Sequence, residues 1–503
     1  MKHQSLLSGI KSLGIMLSLG LALASCTKDD VAQNPAKPNE EENKNLTTFV
    51  AGGENKTRTS MNYNSGDFYW EAGDYIYVKD DNGDLKKSTN APTSKVASFK
   101  YKVPGKFTDH SSYKVYYLGK NSSGNSVTIS TTQIQTAPDN TEHFGTAGDY
   151  GTATATGAVG GGFFSFQLEH HPAYLVFQPY ISNTILRNCY LTKVEVTSDN
   201  DIAETYTVNS TTGALDASAV TNGDKIILTT KDPAWGSSYK NGFPLTNNSA
   251  SVTTNGAYMV IKPGTHTLRV RYWLKDVVTS TEGTITKIYP STAYASNTYY
   301  DMNANLNVRD YDGTKYYMWD AQQNYWAGHE WNSAAPWQPT LTTQPANSNY
   351  AQSNTDPNNR WYHEGSGAFQ ATQSCATLPN VNEMTWYAAY GEPRWDADEL
   401  WTTMGHLYKG GMWLKKKSVL LAEHHYNSNT AYDGTDWRTT GKMQSWTPSQ
   451  TLPSAADAGK YFLLPALGCY DSGHLNYVGN SGYYWSSSAL PWYSFNAYDL
   501  IFY

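Results

Sequence analysis

Charged residues and cysteines are both scarce in this 503-residue chain. Charged side chains make up 16% of the residues, and the net charge is −7 at pH 7. Such a chain lacks the strongly basic surface that attracts phosphate backbones, so its composition argues against a nucleic-acid partner. Only four cysteines are present, which are too few for a disulfide framework that replaces a hydrophobic core.

Long apolar stretches are also missing, except at the N-terminus. Lys2 and Lys11 accompany the apolar segment 13–23, which is too short for a permanent membrane span. The sequence LASC, which ends at Cys26, places small residues before a cysteine, as in a bacterial lipoprotein signal peptide. The pattern predicts a signal peptide over 1–25, acylation of Cys26, and an anchored mature protein. An ordinary signal peptide with an accidental cysteine is the alternative.

Residues 26–45 are the predicted tether between lipid and fold. They contain two prolines, eight charged residues and no aromatic residue. This composition cannot form a core, so it predicts a disordered segment. The step Lys28-Asp29-Asp30 resembles the acidic surface-export signal of some Gram-negative lipoproteins, with an ordinary solvated linker as the alternative.

The middle of the chain is predicted to be β-structure. Tyrosine (39), tryptophan (16) and glycine (40) are abundant, and aromatic residues suit a half-buried pleated surface. Between residues 46 and 309, short aromatic and β-branched runs alternate with turn clusters, without a helix-period stretch. This pattern predicts two antiparallel β-sandwiches, over 46–180 and 181–309.

A change in composition predicts a third domain over 310–503. Only three tryptophans precede residue 310, and the other thirteen lie from Trp319 onward. Asn380 and Glu383 form a capping box that predicts a helix, and Asp396 with Glu399 predicts a second helix, ended by Gly410-Gly411. Further strands are expected at 418–422, 461–464, 482–487 and 497–502. The domain is therefore expected to be α+β within a mostly β chain.

Several segments of the first 309 residues resemble the fimbrillin family of type V pilins. They are the lipobox at Cys26, the step Thr57-Arg58-Thr59, and the runs FYWEAGDYIYV (68–78) and FSFQLEHHPAYLVF (164–177). The resemblance implies export as a lipoprotein and two transthyretin-like β-sandwiches.

The family resemblance also implies assembly with other pilin subunits by donor-strand exchange, in which proteolysis removes the first strand and a neighbour's strand replaces it. Here Leu46–Ala51 (LTTFVA) is the expected removable strand. Arg58 is the first arginine of the chain, and we expect cleavage after it by an arginine-specific protease. The alternative is a surface arginine in a turn, and an uncleaved subunit would stay in the outer membrane as an anchor or free lipoprotein.

The C-terminal 194 residues resemble a different module, the FISUMP-type domain with a C-type-lectin-like fold. The matching segments are TLP (377–379), YFLLPALG (461–468), GYYWSSS (482–488) and AYDLIF (497–502). Such domains usually continue with one more strand, so the closing edge is expected to be missing after Tyr503. The resemblance implies a fold, and the ligand-binding residues stay unassigned.

Together these features predict a fimbrial tip adhesin at the cell surface and no enzymatic activity. Pilins of the family donate a strand from the C-terminus, where this chain carries an extra domain, so it is expected to accept a strand without donating one. Its aromatic residues suit a glycan or protein ligand. A structural or anchor pilin is the main alternative, and a glycan-binding lipoprotein or glycosidase outside any pilus is the other.

Cysteine and metal chemistry are expected to be sparse. Of Cys189, Cys375 and Cys469, the pair Cys375–Cys469 is the expected disulfide because both lie in the third domain. No cofactor or metal is predicted. The segments 392–394 (EPR) and 331–333 (WNS) lack oxygen ligands that calcium-binding lectins of this fold supply.

Overall fold

The computed structural model describes residues 2–5, 46–52, 60–63, 68–122, 124–182, 185–277 and 280–503. The predicted sites Cys26 and Arg58 lie outside these ranges. The described chain is mostly β-structure, as predicted. It divides into two compact units, one made of residues up to Tyr272 plus Tyr289–Leu306, the other of Trp273–Ile288 plus Asn307–Tyr503.

The first unit contains strands and two single-turn helices. In chain order these are β1 Lys2–Ser5, β2 Leu46–Ala51, β3 Ser60–Met61, β4 Phe68–Tyr69, β5 Tyr77–Lys79, β6 Leu85–Lys87, β7 Phe99–Pro104, β8 Ser112–Tyr117, β9 Ser126–Thr128, β10 Thr132–Ile134, α1 Phe144–Ala147, β11 Gly151–Gly157, β12 Phe163–Phe166, β13 Glu169–His170, β14 Ala173–Tyr180, β15 Cys189–Ser198, β16 Glu204–Val208, β17 Leu215–Ala219, β18 Lys225–Thr229, β19 Phe243–Pro244, α2 Val252–Asn255, β20 Ala257–Ile261, β21 Gly264–Asp276, β22 Glu282–Tyr294 and β23 Thr298–Asn305. The ends of β21 and β22 that face their connection belong to the second unit.

Strand β2 lies within the largest sheet of this unit. Its hydrogen-bonded order is β6-β5-β8-β11-β12-β2-β7, and a four-stranded sheet has the order β1-β23-β14-β20. The inward side chains of the larger sheet form an aromatic core around Trp70, which contacts Tyr101 and Tyr117 edge to face. In β8 (SYKVYY) the first four residues alternate between exposed and buried, because alternate residues face one side of a strand, and Tyr116 and Tyr117 are both buried.

The second unit combines hairpins with short helices. Its elements are β24 Arg309–Tyr311, α3 Val381–Tyr390, β25 Arg394–Thr403, β26 His406–Lys415, α4 Lys417–Ala422, α5 Trp437–Thr440, β27 Tyr461–Pro465, β28 Cys469–Asp471, β29 His474–Asn476, β30 Gly482–Leu490 and β31 Tyr493–Phe502. Strands β25, β26 and β27 are antiparallel neighbours, β24 pairs parallel with β25, and β28–β29 and β30–β31 are separate hairpins. No helix in the described ranges is long and apolar enough to cross a membrane.

The first predicted helix of this unit is confirmed. α3 begins after Asn380, whose side chain accepts a hydrogen bond from the amide of Glu383, while the Glu383 side chain accepts one from the amide of Asn380. This reciprocal pair satisfies two amides that would otherwise lack partners at the helix start.

The second predicted helix is wrong. Residues 394–403 form β25, which turns through Met404-Gly405 into β26. Asp396 and Glu399 do not cap each other: the Glu399 carboxylate instead accepts hydrogen bonds from the amide of Thr286 (3.0 Å) and from threonine hydroxyls. The aromatic and β-branched run Trp401-Thr402-Thr403 pairs across the hairpin, and this pairing outweighs the local cap signal.

The strand predicted at 418–422 is also wrong, since these residues form α4. The segment KSVLLA buries Leu420 and leaves Leu421 half exposed. Its leucines, lysine and alanine are good helix formers, and the short apolar run did not distinguish the two structures. The strands predicted at 461–464, 482–487 and 497–502 are confirmed within β27, β30 and β31.

Candidate assembly site

Strand β2 is inserted between two other strands, so hydrogen bonds hold it along both edges. It runs antiparallel to β7 over six residue pairs, from Leu46 opposite Pro104 to Ala51 opposite Phe99. On its other edge it runs parallel to β12, where Phe49 lies beside Phe164. Removing β2 would therefore free the backbone groups of two neighbouring strands at once.

The inward face of β2 is a small apolar plug. Phe49 and Ala51 are buried, whereas Thr48 and Val50 on the opposite face are half-buried. The ring of Phe49 stacks on Phe164 with centroids 5.3 Å apart. It also meets Phe107 edge to face at 5.1 Å and Tyr113 at 6.4 Å. Such contacts stabilise the sheet beyond simple burial of area.

The groove that β2 fills also has polar groups at its rim. Lys102 on β7 donates to the hydroxyl of Thr48 at 2.8 Å. Burial raises the pKa of Tyr113 to about 12, so its hydroxyl stays protonated and donates to Asp81 at 2.6 Å. The side chains below β2 are aromatic, and the rim is polar. This pattern selects an occupant with alternating apolar and polar residues.

The residues that follow β2 separate it from the next fixed segment. Gly52 ends the strand with φ +129°, and a Cβ there would lie 2.9 Å from Cβ of Ser98, so a side chain would be strained. Residues 53–59, including Arg58, lie outside the described ranges. Ser60 is buried, and its hydroxyl donates to the Glu71 carboxylate. The predicted cleavage position thus lies, in sequence, just before residues that are packed and hydrogen-bonded.

The segment 164–177 has a structural role in the described chain, through its two adjacent histidines. His170 is buried, and its Nδ1 is 3.0 Å from the carboxylate of Asp149, which also accepts a 2.7 Å hydrogen bond from the hydroxyl of Tyr174. Phe68 stacks on the His170 ring at 4.5 Å. His171 points the other way and contacts Thr152, as expected for adjacent strand residues.

The predicted disulfide is not formed. Cys189, Cys375 and Cys469 are all free thiols. Cys375 is buried in the loop region before α3, where its sulfur accepts a hydrogen bond from the amide of Asp320. Cys469 lies on β28 and pairs with Asn476 of β29. Two cysteines in one predicted domain need not form a disulfide. Here Cys375 lies in the segment before α3 and Cys469 lies in a separate hairpin.

Sequence reasoning missed Asp320, which organises the long irregular segment before α3. The side chain is fully buried, and its carboxylate accepts hydrogen bonds from the amides of Thr372 (2.7 Å), Gln373 (2.8 Å) and Cys375 (3.0 Å). His363 Nδ1 lies 2.8 Å away from the same group. The partners follow Asp320 by 43 to 55 positions, so no local pattern marked it.

Glu392, Asp433 and Asp436 of the second unit are engaged by other groups of the chain. Glu392 lies 2.6 Å from Lys415 and 3.0 Å from Arg394. The Lys415 hydrogen bond is the main cause that lowers the pKa of Glu392 to about 2. Asp433 accepts from Lys442 at 2.8 Å, and Asp436 caps α5. Within the described ranges, no group of three or more histidine, cysteine, aspartate or glutamate residues could hold a metal ion.

The tryptophans of the second unit differ in how far they are buried. Trp319, Trp326, Trp401 and Trp437 are buried, nine others are half-buried, and Trp492 is exposed. Trp492, which precedes β31, is thus the most exposed tryptophan of this unit within the described ranges.

Comparison with known proteins gives only distant structural similarity. No protein-family model and no curated protein matches the chain. A solved structure of a proposed cell adhesion protein from Bacteroides ovatus is 16% identical, covering 52% of this chain and 93% of that one with a TM-score of 0.31. A fimbrial protein from Bacteroides ovatus is 15% identical over 54% of this chain and 52% of that one, with a TM-score of 0.25.

The fimbrial anchor protein Mfa2 from Porphyromonas gingivalis is a third similar structure. It is 11% identical, covering 48% of this chain and 82% of that one with a TM-score of 0.22. At these identities and TM-scores, neither a family nor an activity of this chain follows from the similarity.

Proposed function

We propose that this chain is a non-enzymatic subunit of a surface fimbrium that accepts a neighbour's strand after losing its own β2. The observation that supports the proposal is the position of β2. This strand is bonded on both edges, inserts Phe49 into an aromatic core, and precedes Arg58 in sequence. Its loss would leave a groove whose two edges and apolar floor suit an incoming strand.

In this proposal the precursor is a lipoprotein of the outer membrane. Acylated Cys26 retains it there, and cleavage after Arg58 by an arginine-specific protease releases the lipid, the tether and β2 in one piece. Ser60 supports this position of the cut, because it is buried and bonded to Glu71 directly after the cleavage position. The new N-terminus would therefore begin beside a fixed segment, and β3 could stay in place.

We place the subunit at the fibre tip, with its second unit as the adhesive module. After β23 the chain continues into a folded unit instead of a free donor strand. A subunit that accepts without donating ends a fibre. A glycan or protein is the proposed ligand of this module, whose lectin-like fold is implied by the sequence resemblance described above.

Processing is tested on fimbriae purified from producing cells. We expect N-terminal sequencing to show Thr59 as the first residue, and the variant Arg58→Ala to stay in the membrane fraction with β2 attached. Arg58→Lys is the matched variant. It keeps the positive charge, and it should also stay uncleaved because the proposed protease requires arginine. Assembled material that starts at Cys26 would refute strand removal.

Strand acceptance is tested on the protease-treated protein with synthetic peptides. A peptide of residues 44–52 should bind and raise the melting temperature, because it restores both rows of backbone hydrogen bonds. The same peptide with serine at the Phe49 position should bind much more weakly. Equal binding of both peptides would contradict a role for the aromatic groove.

The position in the fibre is tested by immunogold labelling with antibodies against the second unit. Labelling confined to fibre ends supports the tip role. Periodic labelling along the shaft would assign a structural role instead.

Lipidation is tested with the variant Cys26→Ala, which should be lost from the membrane fraction. Unchanged retention of this variant in the membrane fraction would refute lipidation.

A further inference from the structure

The large sheet of the first unit has one face that is open to solvent. Along its strands, alternate side chains point into the aromatic core, and the others point away from it. We call the second set on β8, β11, β12, β2 and β7 the outward face. Its most exposed polar members are Lys100, Lys114, Thr154, Thr156 and Ser165.

One row of outward side chains can be followed across four strands. Thr156 of β11 lies opposite Ser165 of β12, which lies opposite Val50 of β2. Val50 in turn lies opposite Lys100 of β7. Two hydroxyl groups and one apolar side chain therefore lead to a lysine at one margin of the outward face.

The opposite margin of the outward face also carries a lysine. Lys114 of β8 is exposed and lies opposite Thr154 of β11. Four interstrand spacings lie between β8 and β7. At about 4.8 Å for each spacing, roughly 19 Å of sheet separates the two margins. A single small anion cannot reach both margins, whereas an extended polymer can.

The lysines of the outward face lack acidic partners in the described part of the chain. Lys102 and Lys114 donate to threonine hydroxyls of neighbouring strands, at 2.8 and 3.4 Å, and Lys100 is exposed. None of the three forms an ion pair with a described residue, whereas Lys86 of the same sheet pairs with Asp84 at 2.9 Å. Since uncompensated like charges repel each other, an anionic ligand between them would be stabilised.

The charge of the outward face differs from that of the whole chain. None of the outward residues on these five described strands is acidic, although the chain carries a net charge of −7. Glu169 of β13, opposite Thr152, bounds the face at one end. Charge complementarity therefore favours an anionic partner at this surface.

We propose that the outward face binds an acidic polysaccharide, which lies across the strands from Lys114 to Lys100 and Lys102. The lysines pair with its carboxylate or sulfate groups, and the threonine and serine hydroxyls between them exchange hydrogen bonds with its sugar hydroxyls. Phe163 of β12 is 53% exposed and adds a ring against which a sugar can pack. This site lies in the first unit and does not depend on the proposed fimbrial role.

An acidic peptide or an anionic membrane fits the outward face less well. Extended peptides bind folded proteins along free strand edges or in apolar grooves. Here β8, β11, β12 and β2 are each paired on both sides, so they present no free edge. A membrane surface requires a broad apolar face that inserts between lipids, whereas hydroxyl groups occupy the middle of this face.

Binding is measured on the purified, uncleaved protein with immobilised polysaccharides. Polygalacturonate supplies carboxylates, heparin supplies sulfates, and dextran is the uncharged control. We expect at least one of the two acidic polymers to bind and dextran not to bind. The affinity should fall steeply as NaCl rises from about 0.05 to 0.5 M, because salt screens exposed charges. Binding to neither acidic polymer, equal binding to dextran, or an affinity unchanged by salt would overturn the proposal.

Variants of the outward face locate the binding. Lys100→Gln and Lys114→Gln should each weaken binding about threefold, and the double variant about tenfold, since the two lysines are far enough apart to act independently. Lys240→Gln is the matched control, because it removes an exposed lysine of the first unit outside this sheet. Melting temperatures within a few degrees of the parent protein establish that the variants fold. An unchanged affinity of the double variant would place the polysaccharide elsewhere.

The ligand class is tested with Thr154→Val, which keeps the shape of the side chain but removes its hydroxyl. This variant should bind the acidic polysaccharide more weakly and leave the weaker binding of poly-L-glutamate unchanged. Poly-L-glutamate that binds as tightly as the polysaccharide would assign the face to acidic peptides. Binding to phosphatidylserine vesicles that the double lysine variant loses would assign it to a membrane surface. Neither readout depends on cleavage after Arg58 or on strand exchange, so failure here and failure of the fimbrial role are distinguishable.

Discussion

Truncating Phe49 tests how strongly β2 is held in the uncleaved chain. The side chain is fully buried and contacts three aromatic rings at 5.1, 5.3 and 6.4 Å. Phe49→Ala removes these contacts and leaves a cavity between strands that are fixed on both sides, so the sheet cannot easily collapse around it. Phenylalanine-to-alanine changes at such sites cost about 3–5 kcal/mol of unfolding free energy.

The assay is urea unfolding followed by hydrogen–deuterium exchange of the peptides that contain β7 and β12, since whole-chain tryptophan fluorescence would mainly report the second unit, where most tryptophans lie. Phe163→Ala is a matched control: Phe163 lies on the neighbouring strand β12, but its side chain is 53% exposed. We expect a change within about 0.5 kcal/mol there. Near-equal effects of both substitutions would show that Phe49 does not act as the plug and would refute the reasoning.

Three other substitutions test the second unit. Asp320→Asn should cost about 3 kcal/mol or more in chemical unfolding, because a buried acceptor of three amides loses its charge, whereas exposed Asp312→Asn should cost little. Asn380→Ala should cost about 1 kcal/mol through loss of the α3 cap, measured by thermal unfolding. Asp499→Asn should stabilise the protein at pH 7–8. The folded pKa of about 6 exceeds the ordinary 3.8, so stability falls as pH rises from about 4 to 6. The gain should reach at most about 3 kcal/mol and vanish near pH 4, and a gain equal at both pH values would contradict the role of ionisation.

The elements predicted correctly were those with a complete local signal. LTTFVA alternates in burial and contains β-branched residues, so β2 follows from its own composition. The Asn380 capping box and α3 were readable for the same reason. What the sequence did not indicate is that β2 lies parallel to β12, because that pairing joins residues more than one hundred positions apart.

The incorrect predictions share a physical cause. The Asp396 and Glu399 pair has the spacing of a cap, but its carboxylates bond elsewhere once β25 pairs with β26. Likewise, Asp320 holds amides from 52 to 55 positions away. Both depend on contacts that form only in the folded unit, where tertiary pairing overrides local preference.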